Sequence, residues 1–110
     1  MTVEELTGAL GLEVLYEGEP DREITGCYCG DLLSWVMGRA QAGDVWITIM
    51  SNVNVAAVAA LADVACVILA EGVEPDDALR ERFSKLDATV LRSPASIYEL
   101  AWKVHQAAAL

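Results

Sequence analysis

Residues 45–70 read VWITIMSNVNVAAVAALADVACVILA and carry the clearest indication of the fold. Residues 45–50 and 65–70 are uncharged runs rich in β-branched residues, a composition that predicts two buried strands. Between them, Asn54 is expected to cap a helix that runs to about Ala62 and is rich enough in alanine to lie very close to a sheet. Strands that are apolar on both faces and are joined by a helix indicate a mainly parallel sheet covered on both sides.

The sequence on either side continues this alternation. Strands are predicted at residues 13–16, 24–29 and 89–91, and helices at residues 3–10, 31–40, 75–86 and 96–108. The expected fold is therefore α/β: one domain over residues 1–110, with a mainly parallel sheet of about four to five strands and helices on both faces, a three-layer αβα arrangement.

Local signals support these helices. Thr2 with Glu5, and Ser96 with Glu99, have the spacing of capping boxes, and Pro75 is suited to a helix start. The second helix carries Asp31 in its predicted first turn. Its inward arc is predicted to contain Leu32, Leu33, Val36, Met37 and Ala40.

The charge of the chain restricts its partners. Seventeen acidic residues against seven basic ones give a formal charge of −10, which makes contact with phosphate backbones or anionic lipid unfavourable. We therefore expect neither a nucleic-acid nor a membrane partner. The acidic amino terminus is the opposite of a signal peptide, and no apolar run has spanning length, so a soluble, cytoplasmic protein is expected.

Four strand-to-helix turns are the expected place for a ligand, because ligands of parallel sheets bind beyond the carboxyl ends of the strands. These turns are residues 29–31, 50–54, 70–73 and 92–94. The polar and small residues that would form a pocket there are Ser51, Asn52, Asn54, Glu71 and Gly72, together with Gly30 and Asp31. The alternative is purely structural: Asn54 and Asp31 as helix caps, Gly72 as a turn residue, and Ser51 and Asn52 as solvated loop.

Two of these turns resemble the two halves of the DRTGG motif. Ser51-Asn52-Val53 stands where that family has Asp-Arg-Thr, and Ala70-Glu71-Gly72 stands where it has Thr-Gly-Gly. The runs GCYCGDLLSWVMGRA and GDVWITIMSNVN are similar to those of free-standing, single-domain members, which are often associated with iron-only hydrogenase clusters. The resemblance implies an accessory, often dimerising, regulatory module without catalytic machinery. Gly72 keeps the family's residue type, whereas acidic Glu71 disfavours a bare phosphate.

The residues that catalysis requires are scarce. His105 is the sole histidine, and nothing in the sequence points to a nucleophile paired with it. The glycine spacing matches neither a phosphate loop nor a dinucleotide fingerprint. We expect no enzyme activity, no catalytic residues and no cofactor.

Cys27 and Cys29 are the sharpest chemical feature. They share one face of a predicted strand, and Cys66 and His105 would complete a four-ligand zinc or redox site. The alternative is structural burial, since metal sites usually leave two or more residues between paired cysteines. No metal site is therefore assigned, although a small metal or thiol protein using Cys27 and Cys29 stays open.

Two tryptophans suggest contact with another chain. Trp35 lies at the flank of its helix's apolar arc, and Trp102 lies off the central stripe of the last helix, so both should be only partly covered. With the family resemblance, this predicts a homodimer. The first hypothesis is a regulatory or small-ligand-binding domain, accessory to a metabolic or hydrogenase-related partner. The second is a structural interaction domain whose ligand site has decayed.

Overall fold

The computed structural model describes residues 1–110 and confirms the α/β fold. The strands are β1 (Glu13–Tyr16), β2 (Gly26–Cys29), β3 (Asp44–Thr48), β4 (Cys66–Leu69) and β5 (Thr89–Arg92). The helices are α1 (Val3–Leu10), α2 (Leu33–Arg39), α3 (Asn54–Ala62), α4 (Asp77–Arg82) and α5 (Ile97–Ala108), and a 3₁₀ turn, Phe83–Lys85, follows α4. No helix is both long enough and apolar enough to cross a bilayer.

The five strands form one sheet in the order β1-β5-β4-β3-β2. Strands β2 to β5 are parallel neighbours, and β1 pairs antiparallel with β5 at one edge. Helices α2, α3 and α4 all contribute to the same core, as expected when successive crossovers share one handedness. Because the order of the parallel strands never reverses, the sheet contains no switch point of the kind that opens a ligand crevice.

Side chains alternate between two cores, one on each face of the sheet. Trp46 and Val67 point to the layer of α2, α3 and α4, whereas Val45, Ile47 and Cys66 point to the layer of α1 and α5. The strands are fully buried at these positions. Successive side chains of a strand point to opposite faces of the sheet, and both faces are covered here. The strand sequences are therefore continuous apolar runs rather than alternating apolar and polar residues.

The second helix differs from its prediction. α2 begins at Leu33 rather than at Asp31, and within the predicted inward arc Leu32 and Met37 are 59% and 41% exposed. Only Val36 is fully buried, and the partly buried Leu33 and Ala40 pack against the same core. The helix starts late because the Asp31 carboxylate bonds to the end of β3 instead of to the helix.

The starts of two further helices also differ from their predictions. Asn54 does not cap α3 but is its first residue, and the Asn52 side chain accepts the Asn54 N–H instead. α4 begins at Asp77 rather than at Pro75, because the Asp76 carboxylate caps it, and its α-helical part ends at Arg82.

The two predicted capping boxes differ from each other. Thr2 and Glu5 form both hydrogen bonds of the box at the start of α1. At the start of α5, Ser96 accepts the Glu99 N–H, but the Glu99 carboxylate pairs with Lys103. The predicted strands at 24–29, 45–50 and 65–70 are shorter, and β5 extends one residue further, to Arg92.

Candidate functional site

The four predicted turns lie together at one end of the sheet, where β2, β3, β4 and β5 end, and this end is called the carboxyl edge below. Main-chain hydrogen bonds join the turns to their neighbours. The Gly30 N–H donates to the Ile47 carbonyl over 3.2 Å, and the Gly72 N–H donates to the Ser93 carbonyl over 3.0 Å. The Asp76 N–H donates to the Ser51 carbonyl over 2.9 Å, which ties the segment after β3 to the segment after β4.

Asp31 holds the end of β3 in place. Its Oδ1 accepts hydrogen bonds from the Thr48 hydroxyl and from the Ile49 N–H, both over 2.8 Å. Thr48 is fully buried, and its hydroxyl also accepts the Met50 N–H over 3.1 Å. The Gly30 carbonyl accepts the Trp46 Nε1–H over 3.0 Å. Gly30 and Asp31 therefore fix the edge, and neither caps a helix.

Ser51, Asn52 and Asn54 line the segment between β3 and α3. The Asn52 side-chain oxygen accepts the Asn54 N–H over 2.9 Å, and this is the only hydrogen bond of the three side chains. Ser51 and Asn52 are half-buried and Asn54 is exposed. Their remaining hydroxyl and amide groups stay available to a ligand. Of the seven predicted site residues, only Asn54 lines a cavity.

Glu71 and Gly72 show why the second half of the motif calls for two glycines. Both adopt left-handed backbone conformations, with φ of 59° and 74°. This conformation costs a residue with a side chain about 1–2 kcal/mol. Glu71 offsets part of that strain, since its carboxylate accepts the Ile97 N–H over 3.3 Å at the first turn of α5. An internal anion therefore already stands at this helix start.

Arg92 stabilises the carboxyl edge, a role that was not predicted from the sequence. Its Nε and Nη2 donate to the carbonyls of Val73 and Gly72 over 2.9 and 2.8 Å, and it also pairs with Glu13 over 3.1 Å. The arginine thereby fastens the turn after β4 to β1. The sequence placed Arg92 in the strand-to-helix turn at residues 92–94. Which carbonyls it binds depends on the order of the strands in the sheet.

The cysteines do not form the four-ligand arrangement considered above, since no three His, Cys, Asp or Glu side chains are grouped to hold a metal. The two thiols of β2 interact instead. Hydrogen bonding with Cys27 lowers the pKa of Cys29 to about 7, and the same interaction raises the pKa of Cys27. Burial raises the pKa of Cys66 to about 12. Cys29 is exposed and is thus the nucleophilic thiol of the chain.

Cys29 is expected to react with iodoacetamide with an apparent pKa near 7. Because the thiolate is the attacking species, the rate should rise as the pH passes through this value and level off above it. Mass spectrometry of the modified peptide between pH 5 and 10 measures the profile. Cys27→Ala should move the midpoint toward about 8.5, the value of a free thiol. A midpoint near 8.5 in the unaltered protein would contradict the assignment.

The match to a known family agrees with this geometry. The model of the DRTGG domain matches residues 5–107, which includes all five strands and both motif turns. Among curated proteins, none matches the chain. A family match over nearly the whole length settles the relationship: the chain belongs to the DRTGG domain family.

Proposed function

We propose that this chain is a non-enzymatic regulatory domain that binds a small ligand at the carboxyl edge. The observation that carries the proposal is the meeting of both motif turns at one end of the sheet, tied by the bond between Asp76 and Ser51. The ligand would contact the free polar groups of Ser51, Asn52 and Asn54, with Glu71 and Gly72 beside them. Gly30 and Asp31 would hold the edge in shape.

A role without catalysis is supported by what the edge contains. DRTGG domains are regulatory and ligand-binding modules. His105 lies in the last turn of α5, whereas the first turn of this helix is at the edge. Ile97 and His105 are eight positions apart in the helix, a rise of about 12 Å. The edge therefore lacks the histidine that acid–base chemistry would most often use.

A thermal-shift screen of nucleotides and acyl phosphates tests ligand binding, since a compound that binds only the folded state raises Tm. We expect at least one compound to raise Tm by several degrees, and Asn52→Ala to remove that shift relative to its own ligand-free baseline. Gln106→Ala, exposed at the other end of α5, is the matched control. If no compound raises Tm and a protein partner binds tightly, a structural interaction domain is the better description.

The proposal includes a homodimer. Trp35 and Trp102 are 52% and 45% exposed, as expected for tryptophans that a monomer leaves partly covered. Exposed Leu32 precedes α2 and is three residues before Trp35, and the Arg39 guanidinium lies 3.7 Å from the centre of the Trp35 ring. An aromatic ring with a stacked arginine is typical of interface centres. Strand β2, at the end of the sheet, has one unpaired edge.

Light scattering at micromolar concentration is expected to give twice the 11.8 kDa mass of one chain. Trp35→Ala should shift the mass toward the monomer. Trp102→Ala should not, because α5 lies on the opposite face of the sheet from α2. A monomeric mass for the unaltered protein would contradict the dimer.

The further proposal, from the resemblance of residues 26–40 and 43–54 to free-standing members, is a cytoplasmic accessory role with a metabolic or hydrogenase-related protein partner.

A further inference from the structure

A cavity of about 320 Å³ lies between α3 and the segment formed by α4 and its 3₁₀ turn. It begins at Asn54, beside the carboxyl edge, and follows α3 along its outer side. The residues that shape it are Asn54, Ala57, Ala60, Arg82, Lys85 and Leu86. Its volume is at the lower end of the range of about 300–1,000 Å³ for small-molecule sites, so it suits a small ligand.

The charge of this cavity is opposite to that of the protein. The chain carries −10, yet the two charged residues that line the cavity, Arg82 and Lys85, are both basic. Three of the other five basic residues form ion pairs: Arg22 with Asp63, Arg92 with Glu13 and Glu74, and Lys103 with Glu99. Of the remaining two, Arg39 stacks on Trp35, and Arg80 is exposed and does not line a cavity. Neither Arg82 nor Lys85 forms an ion pair. Two uncompensated cations at a concave surface favour an anionic group.

The floor of the cavity is apolar. Ala57 and Ala60 are exposed on the outer side of α3, and their methyl groups leave open the space that longer side chains would fill. Buried Leu86 closes the base. A bare inorganic anion would leave this floor uncovered, and an uncharged apolar molecule would leave the cations without a partner. The best match is a molecule that carries both parts.

We propose that this cavity binds a small organic phosphate, with the phosphate at Arg82 and Lys85 and the apolar group on Ala57 and Ala60. Two cations complement a dianionic phosphate better than a single carboxylate charge. The inference rests on the proposed ligand-binding role and gives it a ligand class. The Glu71 carboxylate lies at the start of α5 and would repel an anion there, whereas this cavity is lined by Asn54 and the two basic residues.

Phenyl phosphate is the probe, titrated into the ¹⁵N-labelled full chain and followed by backbone amide resonances. The amides of Ala57, Ala60, Arg82 and Lys85 should shift together and saturate. Arg82→Ala and Lys85→Ala should each raise Kd about tenfold, the usual loss for a bond to a charged group. Phenol and inorganic phosphate should each bind more weakly than phenyl phosphate.

Arg80→Ala is the matched control, because Arg80 is exposed on the same helix, makes no ion pair and does not line the cavity. It removes the same charge and should leave Kd unchanged. Ala57→Leu keeps a good helix former on the surface but fills the cavity, and should abolish binding. The amide spectrum of each variant also shows whether it is folded.

Two outcomes would overturn the inference: no shift at Ala57 and Ala60, or an equal loss of affinity in Arg80→Ala and Arg82→Ala. Its failure is distinct from a failure of the carboxyl-edge site. A compound whose thermal shift depends on Asn52 but not on Arg82 and Lys85 would support the edge and exclude the cavity. If phenyl phosphate bound in the cavity and no compound gave a thermal shift that depends on Asn52, the cavity would be supported and the carboxyl-edge site excluded.

Discussion

Trp46→Ala is expected to lower the free energy of unfolding by about 4 kcal/mol, within the usual range for truncation of a buried aromatic residue. The Trp46 side chain is fully buried in β3 and packs against the layer of α2, α3 and α4. Its loss would leave a large cavity and would also remove the donor to the Gly30 carbonyl, which the Nε1–H contacts over 3.0 Å. The turn after β2 would therefore loosen together with the core.

Urea unfolding followed by circular dichroism measures the change. Trp102→Ala is the control, because that ring is 45% exposed and lies outside the proposed dimer contact, so its removal should change stability by less than about 1 kcal/mol. If Trp46→Ala does not fold, Trp46→Phe tests the same point, since it keeps most of the packing and loses the hydrogen bond. A change below about 1 kcal/mol in Trp46→Ala would show that the ring does not support the core as described.

The burial of Trp46 illustrates how far the sequence determines this fold. The β-branched runs of β3 and β4, with a helix between them, were sufficient to predict parallel strands covered on both sides. The start of α2 was not predictable in the same way. Asp31 has the right type and position for a helix start, but its carboxylate is recruited by Thr48, a residue 17 positions later in the chain. Such a competition depends on tertiary contacts.

One part of the candidate site could likewise be predicted from the sequence, and another part could not. Parallel strands place the turns that follow them at one edge, so the position of Ser51, Asn52 and Gly72 followed from the strand prediction alone. The cavity beside Asn54 did not, because it is a gap between α3 and α4 that depends on how closely two helices pack. Arg82 and Lys85 have no local signal in the sequence. Only the structure shows that both line one cavity and that neither forms an ion pair.

Asp31→Ala is expected to destabilise the protein by about 2 kcal/mol, because it removes two hydrogen bonds to a charged acceptor at once. The Thr48 hydroxyl would lose its acceptor while fully buried, and the Ile49 N–H would lose its only partner. The end of β3 would then be held only by the sheet itself. Amide hydrogen exchange should accelerate at Ile49 more than at Val45, whose strand position is unchanged.

Asp31→Asn removes the charge of the carboxylate and keeps the shape of the side chain. The amide keeps an oxygen that can accept one or both hydrogen bonds, so the loss should be about 1 kcal/mol, roughly half of that in Asp31→Ala. Asp21→Ala, in an exposed loop, removes the same charge without a hydrogen bond and should be neutral in urea unfolding. If Asp31→Ala were as stable as Asp21→Ala, the carboxylate would not be what anchors β3. Asp31 would then be free to contact a ligand directly, and its proposed role at the carboxyl edge would change from support to recognition.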